Sequence, residues 1–314
     1  MNRRAWLSGA AGSALGLAGG ALAAARGGGG FAAGGRGGAH VAGAAVPPTR
    51  EGGALVNSEA GAQATLAALG ASIGLQLYTL RGPLAEDVPG TLASVAEIGY
   101  HQVELAGLHG ATASGFRAHL DRAGLAAPSG HVSIDEVRTG LDRLLEDAAT
   151  LGVATLVVPW LAPSERTAEG YRRVADDLNR AGERAAGAGV AVAYHNNDFE
   201  LARTDGPSGW DLILDLTDPA LVSMQMDVFW AVAGGADPLA YLREHAGRFT
   251  SLHAKDRTRS GDMVAVGEGA IDYPAILAAA APHGLTHVFV EHDEPRDPLA
   301  SARASYDHLA TLEI

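Results

Sequence analysis

The segment SLHAKDR, residues 251–257, holds the single lysine of the chain; the other 22 of its 23 basic residues are arginine. Alanine is abundant and 42 of the 314 residues are glycine, the signature of a G+C-rich coding sequence in which lysine codons drift to arginine. A lysine that survives this drift marks a position where the ammonium's size or titratability counts. Arginine stays charged at any accessible pH, whereas lysine gives up its proton when its surroundings demand it. His253 and Lys255 are two apart, so on a strand their side chains share a face. If His253 faces a bound cation, so does Lys255. The cation then depresses the lysine pKa, and the amine becomes an acid, a base or a partner for an oxyanion. The plainer alternative is an ion pair with Asp256 or Glu291 that only braces the scaffold.

His195, Asp227, His253 and Glu291 each close an apolar run: VAVAYH, VSMQMD, TSLH and VFVE. Taken singly, His195 reads as a hydrogen-bonded core histidine and Asp227 as a loop cap. Glu291, with Asp293 after it, reads as a solvated carboxylate. Gathered at one point, they are costly to hold without a cation. Imidazole and carboxylate donors suit manganese, cobalt, zinc, magnesium or iron. The chain has no cysteine, so thiolate sites, disulfides and a cysteine nucleophile are excluded.

What brings such residues together is a repeated unit. Eight apolar runs alternate with amphipathic stretches: SIGLQLY, HQVELAG, AAPSGHVS, ATLVVPW, VAVAYHN, VSMQMDVFW, FTSLHAKD and HVFVEHD. Helical patterns such as IDEVRTGLDRLLEDAATLG and YRRVADDLNRAGERAAGAG lie between them, each closed by glycine. Strand–helix alternation predicts parallel strands, and eight units in about 245 residues predict an α/β fold, a (β/α)8 TIM barrel in a single domain. The alternative, a doubly wound open sheet, lacks its G-x-G-x-x-G turn after the first strand. In a barrel the chemistry sits at the carboxyl ends of the strands. There the sequence places Gln76, Tyr78 and Arg81, Glu104, His131, Trp160, His195 with Asn196 and Asn197, Asp227 with Trp230, His253 with Lys255, and Glu291 with Asp293.

From Ile73 to its end the chain resembles the xylose isomerase-like sugar isomerases and epimerases. The resemblance rests on GLQLYTLR, VELAG, YHNNDFE, MDVFW, LHAKD, VGEGAIDY and VEHD, in the family's order. It implies one divalent metal ion (manganese, cobalt, zinc or magnesium) held by His195, Asp227, His253 and Glu291. It also implies a small-molecule sugar as substrate. A base, Glu291 or Glu104, takes a proton beside the sugar carbonyl and leaves an enediolate. Tyr78, Trp160 and Trp230 wall the ring, and His131 and Lys255 bond its hydroxyls. Gln76 and Asn197 complete the substrate-binding set. The first reading is therefore a metal-dependent sugar isomerase or epimerase. One departure stands out: many epimerases of this superfamily carry a glutamate where this chain has His195, which puts a symmetric two-glutamate epimerisation in doubt and makes a lyase or dehydratase acting on a keto sugar or 3-keto-glycoside the alternative. A sugar-binding barrel without catalysis is the third reading. VGEGAIDY reads first as architecture, with Asp272 as a helix N-cap.

The amino terminus, MNRRAWLSGAAGSALGLAGGALAAARG, resembles a twin-arginine signal over residues 1–25: Arg3 and Arg4, then Trp6 and Leu7, a weakly apolar core, and an Ala-x-Ala near its end. It predicts an exported, periplasmic protein. Its apolar core is too short and glycine-rich for stable membrane insertion. Residues 26–70 read as a flexible Gly/Ala-rich linker, and residues 71–314 as the catalytic barrel. The stretch before Ala71 holds five arginines and two glutamates, so the net charge of −13 becomes −16 for the barrel alone. So acidic a body repels phosphate backbones, which argues against nucleic acid. A homo-oligomer is left open.

Overall fold

The computed structural model describes Leu66, residues 70–202 and residues 206–314. The expected signal, residues 1–25, lies outside the described residues, as does the linker, residues 26–70, except for Leu66 and Gly70. Leu66 is buried and its carbonyl accepts from Ala71 N at 3.1 Å, so packing begins before Ala71.

In chain order the strands are β1 (Ser72–Gln76), β2 (Gln102–Leu105), β3 (Ala126–His131), β4 (Thr155–Val158), β5 (Ala191–His195), β6 (Val222–Asp227), β7 (Phe249–Ala254), β8 (Asp256–Arg257), β9 (Met263–Val264) and β10 (His287–Val290). β8 and β9 form a small antiparallel hairpin. The other eight are parallel and close into a barrel in the order β1-β10-β7-β6-β5-β4-β3-β2. These are the eight runs expected from the sequence. Outside them pack α1 (Arg81–Glu86), α2 (Val88–Ile98), α3 (Ala113–Ala123), α4 (Ile134–Leu151), α5 (Ala168–Ala186), α6 (Gly209–Leu216), α7 (Val228–Ala233), α8 (Pro238–Glu244), α9 (Tyr273–Ala280) and α10 (Pro298–Ala310).

Helix boundaries follow local chemistry. α4 opens with a reciprocal Ser133–Glu136 capping box and closes at Gly152, in the left-handed region at φ 77°. Asp272 caps α9 by accepting from Ala275 N at 3.1 Å, as its position suggested. Asp227 caps α7, the short helix that leaves β6.

Strand parity decides which side chains meet. Outward residues such as Val103, Leu156, Tyr194, Leu252 and Val288 are buried under the helices. Two irregularities set the inward face. β7 gains one residue against β6, since Met224 pairs with Phe249 but Gln225 pairs with Ser251. Phe249 therefore packs outward on Trp210 of α6, at 6.3 Å between ring centres. Ser251 and His253 turn inward and Lys255 follows them. β3 gains a residue against β2 in the same way, so that Ser129 lies beside Glu104. Such bulges re-aim side chains beside functional sites. At Gly74 a Cβ would lie 2.5–2.6 Å from the Phe289 ring, so only glycine leaves room for that ring beneath His253.

Candidate active site

A barrel interior is usually filled by branched apolar side chains. Here Gln76, Glu104, Ser129, His131, His195, Gln225, Asp227, Ser251, His253, Lys255 and Glu291 are all buried and inward-facing. Buried polar groups on this scale are stable only when each is matched, and the matching converges on two carboxylates.

The lower one is Glu104. Its Oε1 accepts from Ser129 Oγ at 2.5 Å and Gln225 Nε2 at 2.7 Å. Its Oε2 accepts from Gln76 Nε2 at 2.7 Å and His253 Nε2 at 2.5 Å. Burial alone would raise this carboxyl, but His131 and His253 beside it hold it well below the usual carboxylate range. Glu104 is thus a saturated anion under the site. The sequence offered it as a base; the geometry makes it the group that orients His253.

The upper one is Glu291. Its Oε2 lies 2.7 Å from His253 Nδ1 and 2.9 Å from Lys255 Nζ. Burial would raise it, but Lys255 and His253 outweigh burial and hold it well below its ordinary value. His253 is therefore gripped from both ring nitrogens. Burial opposes its charge, yet Glu104 and Glu291 push its pKa up to about 10.

Gln225, which the sequence reading passed over, sets the other two histidines. Its Oε1 lies 3.1 Å from His195 Nδ1 and 3.1 Å from His131 Nε2, and its Nε2 also donates to Ser251 Oγ. The His195 ring turns its Nε2 to Asp227 Oδ2, 3.7 Å away. Burial, reinforced by His253, His131 and Lys255, drives His195 well below its usual value, so it is a neutral imidazole. Asn196 ties the ends of β5 and β6 by accepting from Asp227 N and donating to Asp227 O.

Asp227 divides its carboxylate. Oδ1 accepts from Trp230 N at 2.8 Å. Oδ2 is buried and has no hydrogen-bond partner, although Lys255 Nζ approaches to 3.0 Å as an ion pair. Burial pushes the Asp227 pKa up to about 6 against the pull of Lys255 and His253. This orphaned oxygen tests the metal expectation. Donor atoms of Asp227, His253 and Glu291 lie within 4.8 Å of one another, and those of His131, His195 and His253 do likewise. The first group fits a divalent ion better, because it supplies two carboxylates and contains the unsatisfied oxygen. His253, donating its Nε2 proton to Glu104, would turn Nδ1 to the ion; a carboxylate behind a ligating histidine is the usual arrangement. His195, the fourth group expected from sequence, falls in the second cluster, with its Nε2 3.7 Å from Asp227 Oδ2.

Lys255 Nζ also contacts Asp293 Oδ1 at 2.8 Å. Burial would lower its pKa, but Asp227, Asp293 and Glu291 hold it well above the ordinary lysine value. The sequence predicts a depressed value beside a bound cation; the three carboxylates pull in the opposite direction.

The remaining expected substrate contacts spread over two depths. Gln76 and His131 are inside, bonded to Glu104 and Gln225. Asn197 is turned across to the loop after β4, donating to Pro159 O at 2.9 Å. Tyr78 and Trp230 are half-buried at the mouth, with Arg81 over the Tyr78 ring at 4.3 Å and Lys255 5.8 Å from the Trp230 ring centre. Trp160 stands further out, 44% exposed.

Known proteins share this architecture. A family model described as xylose isomerase-like TIM barrel matches residues 92–312. An inosose dehydratase of Geobacillus kaustophilus is 26% identical over 205 residues, which are 54% of this chain and 65% of that protein. The chain thus covers less than two thirds of that relative's length. Two sugar phosphate isomerase/epimerase structures from Parabacteroides distasonis superpose with TM-scores of 0.67 and 0.68 at 28% and 26% identity. They cover 76% and 82% of this chain, and 97% of each of their own.

Proposed function

The chain belongs to the xylose isomerase-like TIM-barrel family, and on that footing we propose that it is a metal-dependent enzyme that forms an enediolate from a keto or aldo sugar. A divalent ion at Asp227, His253, Glu291 and His195 would polarise the sugar carbonyl and acidify the neighbouring C–H. Glu291 removes that proton. Its low pKa keeps it ionised at neutral pH but makes it a weak base, so it depends on an acidified C–H. The C–H electron pair moves to the carbonyl oxygen.

Two outcomes follow from the enediolate. Epimerisation through two opposed carboxylates needs a second base, and Glu104 has both oxygens committed to four donors. Elimination needs an acid instead. The enediolate pair returns and expels the β-oxygen, which takes a proton from Lys255 Nζ; the products are an unsaturated ketone and water or an alcohol. Lys255 Nζ lies 2.9 Å from Glu291 Oε2, close enough for both to serve neighbouring carbons. The saturation of Glu104 is the observation that carries this preference for a lyase. The isomerase/epimerase reading stands second, supported by the Parabacteroides likeness; there Lys255 would return the proton to carbon.

The test is to load the protein with manganese, cobalt or zinc and incubate it with keto sugars and inososes in D2O. Appearance of a conjugated ketone with loss of oxygen supports the lyase. Deuterium at carbon with all oxygens retained supports the epimerase. Neither change, on metal-loaded protein, would leave only sugar binding.

We also propose export through the twin-arginine route, supported by Arg3, Arg4 and the segment after them. Replacing both by lysine should trap the protein in the cytoplasm; unchanged fractionation would sink the idea.

A further inference from the structure

Trp160 and Leu216 are the two large apolar side chains left exposed among the described residues, at 44% each. Trp160 alone stands at the catalytic end of the barrel. Val158, the last residue of β4, pairs with Tyr194, and Trp160 follows two residues later in the loop after β4, on the same end of the barrel as His195. The preceding carbonyl, Pro159 O, is fastened by Asn197 Nδ2.

The ring is also braced from behind. The Arg166 guanidinium lies 5.2 Å from the Trp160 ring centre and 3.5 Å from that of Phe199, while its Nε donates to Leu161 O at 3.0 Å. Phe199, Arg166 and Trp160 form a stack that spans the loops after β5 and β4, with the indole outermost. A guanidinium over an aromatic face is attracted by the ring quadrupole, which favours this placement of the indole. An exposed, pre-oriented indole at the mouth of a polar site is a binding platform for a flat, partly apolar partner. Of the three expected aromatic contacts, Trp230 lies with Lys255 at its ring face and Tyr78 is half-buried at the mouth, while Trp160 stands further out.

We propose that Trp160, held by Arg166 and Phe199, forms an outer subsite for a second ring, so that the substrate class is a glycoside rather than a free monosaccharide. The inference rests on the sugar reading above and adds the leaving group to it. In the elimination, the oxygen protonated by Lys255 would carry that second ring, and the ring leaves as an alcohol from the open side of the barrel.

The probes are methyl, phenyl and glucosyl 3-keto-β-D-glucosides, which differ only beyond the glycosidic oxygen, titrated into manganese-loaded protein by calorimetry and tryptophan fluorescence. The phenyl and glucosyl compounds should bind about tenfold tighter than the methyl compound, about 1.4 kcal/mol. Trp160→Ala should erase that difference by lowering phenyl and glucosyl affinity to the methyl level, with metal content unchanged, and Trp160→Phe should keep most of it. Equal affinity for all three overturns the proposal and leaves the sugar reading standing. So does a Trp160→Ala loss that is the same for methyl and phenyl compounds, which would put Trp160 at the inner ring. A preference for methyl 3-keto-glucoside 6-phosphate that disappears in Arg166→Met also overturns it, in favour of a phosphate subsite. Failure of every compound to bind metal-loaded protein overturns both readings together.

Discussion

His253 Nε2 and Glu104 Oε2 are 2.5 Å apart at the floor of the site, and in the proposed metal centre that contact would decide which ring nitrogen the ion meets. With Nε2 donating to Glu104, Nδ1 is turned towards Glu291 and Asp227. Glu104→Gln should therefore weaken metal binding without touching any ligand. Carboxylates behind ligating histidines contribute about 10–100-fold to metal affinity. A calorimetric titration with zinc should show a loss of that order while circular dichroism stays native. An unchanged affinity would make Glu104 a packing residue only.

The eight strands and their order were legible because each is an apolar run ending in a polar residue, and the motifs at those ends pick out His195, Asp227, His253, Lys255 and Glu291. Gln225 was missed although the period-two rule carries it: it is two residues before Asp227 and so shares its face. It lies inside an otherwise apolar run, where a single glutamine carries no signal without its partners. Ser129 and Ser251 carry the same signal, two residues before His131 and His253, and are as silent without their partners; what the β7 bulge hides is that Phe249, at the same parity as Ser251, packs outward. The carboxylates around Lys255 were legible only in part: Asp293 approaches from the loop after β10, and no local spacing reveals that three carboxylates meet one ammonium.

Glu200 gives a prediction on pH. It is buried, with Tyr194 OH donating to Oε1 at 2.6 Å and Asn197 N to Oε2 at 2.8 Å. Burial pushes its pKa up to about 7 against these two bonds. An unfolded glutamate titrates near ~4.3. Between those values the folded state binds more protons, so this group's contribution to stability is full below ~4.3 and is lost as pH rises to about 7. The slope is at most ~1.4 kcal/mol per pH unit. Glu200→Gln can keep both contacts, its carbonyl on Asn197 N and its amide on the tyrosine oxygen. Denaturant midpoints measured from pH 5 to pH 7 should then lose this component of the fall. Identical slopes in the two proteins would show that Glu200 does not titrate there.

Asp256 holds the backbone next to Lys255. Its Oδ1 accepts from Arg257 N at 2.7 Å and Ile271 N at 3.2 Å, and its Oδ2 from Gly267 N at 2.9 Å and Gly269 N at 3.1 Å. The VGEG segment is wrapped around one carboxylate, and Tyr273 OH donates to Lys255 O at 2.7 Å. Asp256→Asn leaves two of these N–H groups facing an amide nitrogen that cannot accept, at a cost of ~1–3 kcal/mol. The expected result is a lowered Tm and reduced turnover with metal stoichiometry intact. Turnover that stays at the wild-type level despite a lowered Tm would separate this loop from the placement of Lys255.

Lys255 carries the sharpest prediction, because its two explanations differ in what arginine can replace. Its Nζ has Asp293 Oδ1, Glu291 Oε2 and Asp227 Oδ2 at 2.8, 2.9 and 3.0 Å. If its role is charge alone, Lys255→Arg keeps much of the activity and Lys255→Met does not. If its role is to give a proton to a leaving oxygen, both fail, since a guanidinium holds its proton at neutral pH. General acids are typically worth ~10²–10⁴ in rate. We expect losses of that order in kcat for both variants, with metal content unchanged by elemental analysis. A substrate whose leaving group is already acidic, such as a p-nitrophenyl 3-keto-glucoside, needs no protonation and should recover most of the loss. Recovery with that substrate cannot come from a scaffold defect, which slows every substrate alike. Wild-type rates in both variants would return Lys255 to the role of a buried ion pair, and the proton for the leaving oxygen would have to come from elsewhere.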